Sequence, residues 1–257
     1  MAQLRARPMV VEAVRTTAPC AGCEARPFSV CNALDLRDIE RLSSLAVIIS
    51  VDAGRTFIEE GDPAEFFFNV TAGTAKLFKL LPDGRRQITG FASMGTFLGL
   101  AVSSTYAFGA EAVEPMHICR FSRTRLRVVL DEFPAMEKRL LEVASNELVA
   151  AQEQMLLLGR KTARERLASF LVSRAAALPA QDTLLADSPA PIDRHGPLRV
   201  SLPMTRSDIA DYLGLTIETV SRTLTRFKTE RLIEIPSASE ILIRDLALLA
   251  GLSTGMR

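Results

Sequence analysis

Three cysteines crowd the N-terminal arm in the order Cys20-x2-Cys23-x7-Cys31, and a fourth, Cys119, lies far downstream. Four thiolates can hold a zinc ion or an iron–sulfur cluster, and a Cys-x2-Cys pair opens many sites of either kind. The spacing does not choose between those metals, nor against four unrelated buried thiols. His117 is an alternative ligand, although a lone histidine is more often structural. Arg26, Pro27 and Phe28 fall inside the cysteine loop, where apolar bulk limits solvent and an arginine offsets negative charge. The Cys20/Cys23 pair also has the spacing used in thiol exchange. However, no strand–helix–strand pattern surrounds it, no Ser/His/Asp grouping accompanies it, and the chain has 2 histidines, so an enzyme is not expected.

A second chemistry sits near the C-terminus, in TRSDIADYLGLTIETVSRTLTRFK, residues 205–228. Ser207-Asp208 open a helix with Ile209, Ala210 and Leu213 on its apolar face, and Gly214 stands where that helix must end left-handed. Leu215 plugs the turn, Thr216 caps a second helix, and Ile217, Val220 and Leu224 are expected to face inward. The opposite face has the chemistry of a major-groove reader. Glu218 can accept from cytosine, Arg222 can grip guanine with two hydrogen bonds, and Ser221 can serve either role. Arg206, Thr219, Arg226 and Lys228 are candidates for phosphates, which position without specifying. An ordinary helical hairpin with a solvated Glu218/Arg222 pair is the plainer alternative, but the glycine turn, inward pattern and polar face coincide.

These groups need a scaffold. From about 45 to 122, short apolar runs alternate with glycine turns, and Pro82-Asp83-Gly84 marks a hairpin between Ala75–Leu81 and Gln87–Phe91. That pattern predicts an antiparallel sandwich or barrel, with Cys119 near a strand end and a short helix from about Leu34. From Met136 to Leu158 the period is helical, and Leu140, Ala144, Leu148, Ala151, Met155 and Leu158 form a stripe suited to a dimer seam or to packing within one domain. A helix from Thr162 to about Ala177, a proline-rich segment, a strand at Arg199–Leu202 and a wing at Leu232–Ile235 and Glu240–Ile243 complete the chain. The expected division is an arm at 1–33, a sensor roll at 34–125, a dimerisation helix at 126–160 and a winged helix-turn-helix at 161–257, an α+β fold overall. A net charge of +1 confines any nucleic-acid surface to a local patch. No run reads as a signal peptide or membrane span, so the expected location is the cytoplasm, where the thiols stay reduced.

The cysteine group, the hairpin followed by Gln87-Ile88-Thr89-Gly90-Phe91, the stretches Met155–Leu158 and Arg164–Phe170, and LGLTIETVSRTLTRF together resemble the FNR branch of the CRP/FNR transcription-regulator family. The resemblance runs from about Cys20 to Ala250. It implies a cytoplasmic homodimer in which Cys20, Cys23, Cys31 and Cys119 bind a [4Fe-4S] cluster in the absence of oxygen. It also implies that Glu218, Ser221 and Arg222 read a TTGAT-N4-ATCAA-like palindrome of double-stranded DNA, and that the loop Leu80–Arg86 meets RNA polymerase to activate anaerobic or microaerobic genes. Some relatives place an acidic residue where this chain has Ala151, which implies a dimer less dependent on the cluster here. Cyclic-nucleotide-binding relatives carry a Gly-Glu and a later arginine in the phosphate-binding segment. Residues 95–108 have neither, so no cyclic nucleotide is expected.

Overall fold

The computed structural model describes residues 20–100, 103–177 and 196–255. The proline-rich segment lies largely outside them. The chain forms two compact units, Met1–Ala150 and Ala151–Arg257.

Unit 1 is a β-roll of two antiparallel four-stranded sheets. Its strands are β1 (Val47–Val51), β2 (Thr56–Ile58), β3 (Phe66–Ala72), β4 (Ala75–Leu80), β5 (Arg86–Ala92), β6 (Phe97–Leu98), β7 (Gly109–Ala112) and β8 (Met116–Ser122). One sheet runs β1-β8-β3-β6 and the other β2-β7-β4-β5. The expected hairpin joins β4 and β5, with Gly84 left-handed at its turn.

Strand alternation gives β8 two faces. Met116 and Ile118 point between the sheets into a core with Ile49, Phe68 and Val70. Cys119 and Phe121 point the other way, into a second core built with the arm. That outer layer also takes Leu126 and Val129 from α2 (Arg123–Glu132), Met136 and Leu140 from α3 (Pro134–Arg160), and Ile39 and Leu42 from α1 (Ile39–Ser43). Pro134 opens α3 where a helix needs no N–H. Two expectations are corrected. The first α-helix begins at Ile39 rather than near Leu34, which instead follows a short 3₁₀ turn, Val30–Ala33. Cys119 lies in the middle of β8, paired with Ile48 and Asn69, rather than at a strand end.

Unit 2 contains α4 (Ala163–Ala176), β9 (Leu198–Ser201), α5 (Arg206–Leu213), α6 (Ile217–Thr229), β10 (Ile233–Ser237), β11 (Glu240–Ile243) and α7 (Leu246–Ser253). Its sheet runs β10-β11-β9, so the strand before the helix pair closes the wing. Among the described residues, no helix is long and apolar enough to cross a membrane.

Candidate functional site

Three of the four cysteines pack into the outer layer of unit 1, and Cys23 lies close enough to act on their thiols. Cys20, Cys31 and Cys119 are buried there, Cys23 is half-buried, and none is in a disulfide. Two 3₁₀ turns, Arg26–Phe28 and Val30–Ala33, fold the arm tightly enough to return Cys31 to the layer. The buried Ser29 caps the second turn, its hydroxyl accepting from Cys31 N–H at 3.2 Å. Arg26 ties the loop down by donating to Leu34 O at 2.6 Å.

Burial pushes the Cys31 thiol up to about 11 and the Cys119 thiol up to about 12, and neighbouring cysteines add to both effects. Burial also raises Cys20, opposed by a Ser43 hydrogen bond and by the charge of Arg26. A raised folded-state value stabilises the fold fully below the unfolded thiol value of 9.0, and that contribution disappears as pH rises through the folded values. With its four thiols free, unit 1 is therefore expected to lose stability progressively from about pH 9 to about pH 12. Urea midpoints across that window, compared with a Cys31→Ala/Cys119→Ala variant whose slope is expected to be shallower, check this.

Two buried polar atoms in this layer lack partners among the described residues: Arg26 Nε and Asn69 Oδ1. Asn69 is directly opposite Cys119 across the β3–β8 ladder, on the same face of the sheet. Among the described residues, no three His, Cys, Asp or Glu side chains close together as chelation of a single ion requires. A multi-iron cluster held by four cysteines would make a wider demand than a single ion. The donor set is all thiol, with an unpaired N–H nearby for negative charge.

The arm seats on the β5–β6 turn through Gly95, whose φ is +88° and whose missing Cβ would stand 2.7 Å from Phe28 O. Gly95→Ala adds left-handed strain of about 1–2 kcal/mol and a clash with the arm's backbone. The cysteines of cluster-free protein are expected to react with iodoacetamide roughly tenfold faster in this variant, through more frequent local opening. Mass spectrometry of the labelled thiols reads that rate.

In unit 2, α5 opens at Arg206 rather than at Ser207, and Thr205 caps it. It forms a reciprocal capping box with Asp208, with Thr205 N–H donating to Oδ2 at 3.0 Å and Asp208 N–H to Oγ1 at 3.1 Å. Gly214 ends α5 at φ 60°, and Thr216 caps α6 by accepting from Thr219 N–H at 3.2 Å. Val220, Leu224 and Phe227 are buried. Ile217 is 46% exposed, so its expected inward orientation is corrected: as the first residue of α6 it precedes the packed part of the helix.

At 100° per residue, Glu218, Ser221, Arg222 and Thr225 share one sector of α6, and all four are exposed. The Glu218 backbone N–H, the Thr216 hydroxyl and Arg222 hold the Glu218 carboxyl below its ordinary range, leaving an anionic acceptor at the helix N-terminus. Arg222 Nη2 lies 3.4 Å from Thr219 Oγ1, and Thr219 is half-buried. Lys228 is exposed. Arg206 is half-buried, and burial lowers its value. Arg226 is held to Glu230 at 2.9 Å, and Arg164 grips the same carboxylate.

Arg166 is a positioning residue that sequence reasoning missed. It donates to Leu158 O at 2.9 Å, Lys161 O at 2.8 Å and Leu213 O at 2.8 Å, satisfying carbonyls near the ends of α3 and α5 together. No local pattern announces such a long-range bond.

The seam expectation needs one correction. Leu140 is only 8% exposed and belongs to the core of unit 1. The open stripe of α3 begins one residue later, with Leu141, Leu148 and Met155 exposed by 68%, 63% and 65%. Ala144 and Ala151 are exposed between them, and Leu158 is half-buried.

A helix pair with a left-handed glycine turn, an exposed polar reading face and a wing define a DNA-binding winged helix-turn-helix regulator. Residues 165–252 match the Crp-like helix-turn-helix domain model, and residues 48–133 match the cyclic nucleotide-binding domain model. The nitrogen fixation regulation protein FixK of Bradyrhizobium diazoefficiens is 40% identical, over 84% of this chain and 86% of its own. The transcriptional activator protein FnrL of Cereibacter sphaeroides is 36% identical, over 89% of each chain. The solved structure of FixK2 from Bradyrhizobium japonicum superposes with a TM-score of 0.71 at 34% identity, covering 80% of this chain and 96% of that one. The chain belongs to the CRP/FNR family of transcription regulators.

Proposed function

We propose that this protein is a homodimeric, oxygen-responsive transcription activator that holds a [4Fe-4S] cluster on Cys20, Cys23, Cys31 and Cys119. The observation that supports the reading is the packing of Cys20, Cys31 and Cys119 in one layer between the arm and β8, with Cys23 close enough to raise the thiol values of the other three. The cluster, when bound, supplies an oxygen-labile anionic centre. Cys31 and Cys119 are protonated thiols at neutral pH and burial holds them further from ionising, so a cluster bound there would displace their protons, and the four thiolates would tie the arm to the roll. Arg26 balances the charge from inside the cysteine loop.

Leu141, Ala144, Leu148, Ala151 and Met155 repeat at steps of three and four and form a seam for a second copy. Pairing sets two α6 helices about one DNA turn apart. Glu218, Ser221 and Arg222 then read each half of a TTGAT-N4-ATCAA-like palindrome, while Arg206, Thr219, Arg226 and Lys228 take phosphates. Leu80 and Leu81 are exposed at the β4–β5 hairpin and offer a contact for RNA polymerase. The charges that would pair with a cyclic nucleotide are missing from residues 95–108, and this reading uses none.

The test is protein purified without oxygen, assayed for iron, acid-labile sulfide and zinc, with the visible spectrum followed as air enters. About four irons and four sulfides per chain and a brown band that fades in air, with weaker palindrome binding afterwards, are expected. Zinc, or no metal after anaerobic reconstitution, would overturn the cluster reading and leave the DNA-binding regulator in place.

A further inference from the structure

The space between the two sheets of unit 1 opens into a cavity of about 600 Å³, within the ~300–1,000 Å³ range of small-molecule sites. Its walls come from β1, β2, β3 and β8, and none from β4, β5 or β6. Among the described residues of 95–108, where family ligands with a phosphate would be sought, Tyr106 alone lines it. The cavity is therefore not the cyclic-nucleotide position of the fold.

Arg120 is the distinctive group. It follows Cys119 on β8 and so projects from the opposite face of the strand. Its guanidinium sits 4.4 Å over the Phe66 ring. Among the described residues, no carboxylate pairs with it and no acceptor takes its hydrogen bonds. A cation–π contact leaves the planar fork free for a carboxylate. Phe57, Phe68 and Ile49 supply apolar wall, and Tyr106 is fixed by hydrogen bonds of its hydroxyl to the backbone of Phe66 at 2.8 and 3.1 Å. Around the mouth stand four exposed carboxylates, Asp52, Glu59, Asp62 and Glu65, against a single arginine, Arg55. Such a mouth repels multiply charged phosphates and attracts a cation.

One inner cation, an aromatic wall and an acidic rim match a molecule with complementary ends. We propose that this cavity binds a small zwitterion with an aromatic body, its carboxylate on Arg120 and its ammonium among the rim carboxylates. β8 then carries two inputs on adjacent residues, the cysteine layer through Cys119 and this cavity through Arg120.

Isothermal titration of the full-length chain with L-phenylalanine, 3-phenylpropanoate and phenethylamine tests the proposal. Phenylalanine is expected to bind at least tenfold more tightly than either analogue. Arg120→Gln and, independently, Glu65→Gln/Asp62→Asn are each expected to weaken it tenfold or more, with unchanged circular dichroism. No binding of phenylalanine at millimolar concentration overturns the site. Equal binding of 3-phenylpropanoate removes the ammonium end, and undiminished binding to folded Arg120→Gln removes the carboxylate end.

Discussion

Replacing Arg222 with leucine is expected to cost the dimer, which loses one arginine in each half-site, roughly one and a half to four orders of magnitude in affinity for the proposed palindrome while leaving binding to unrelated DNA nearly unchanged. The side chain is exposed on the reading sector of α6, and its contact with Thr219 is a long 3.4 Å, so its loss removes little from the fold. What it removes is a planar fork able to grip guanine O6 and N7, worth about 1–3 kcal/mol for each base pair read. Lys228→Ala is the contrasting variant: it should weaken all sequences alike and flatten the salt dependence by about two units of slope, one for each protomer. Fluorescence anisotropy on palindromic and scrambled duplexes across a salt series separates the two. If Arg222→Leu weakens both duplexes equally, the residue holds phosphate and the reading assignment fails.

The helix-turn-helix was legible because its determinants are local. Gly214 and Thr216 act within a few residues of themselves, and φ 60° at Gly214 is the conformation its residue type favours. The same local reading placed Ile217 inside, because periodicity describes a helix without its ends. Leu140 and Leu141 show a related limit. A stripe read as 140, 144, 148 and one read as 141, 144, 148 differ by 100° at a single position, and only the packing of unit 1 decides which leucine is covered. Arg166 and Arg120 were invisible for another reason. Their roles depend on partners 47 positions away in one case, Leu213, and on a cavity drawn from four strands in the other. The cysteine layer lies between these extremes: the arm's spacing announced three members, Cys119 was joined to them by the family resemblance, and only the register of β8 shows its seat in mid-strand opposite Asn69.

The other large effect concerns the seam. Leu148→Glu is expected to shift the protein from dimer to monomer at micromolar concentration. Leu148 is 63% exposed in the single chain, at the centre of the stripe that runs from Leu141 to Met155. Covering a leucine stabilises by about 1.5–3 kcal/mol, and a symmetric seam counts each substitution twice, so the apolar loss alone is roughly 3–6 kcal/mol per dimer. Glutamates facing each other across the two-fold axis add repulsion. The combined effect corresponds to a dissociation constant raised by roughly a hundredfold to ten-thousandfold or more. Ala151→Asp tests the same geometry with a gentler change, introducing charge without removing apolar surface of any size. It should weaken pairing by a smaller factor that shrinks at high salt and make the dimer depend more strongly on the state of the cysteine layer. Sedimentation velocity over a concentration series, with and without anaerobic cluster reconstitution, measures both variants. Leu148→Glu protein that stays dimeric would place the interface on another surface, and the exposed leucines of α3 would then need a different partner.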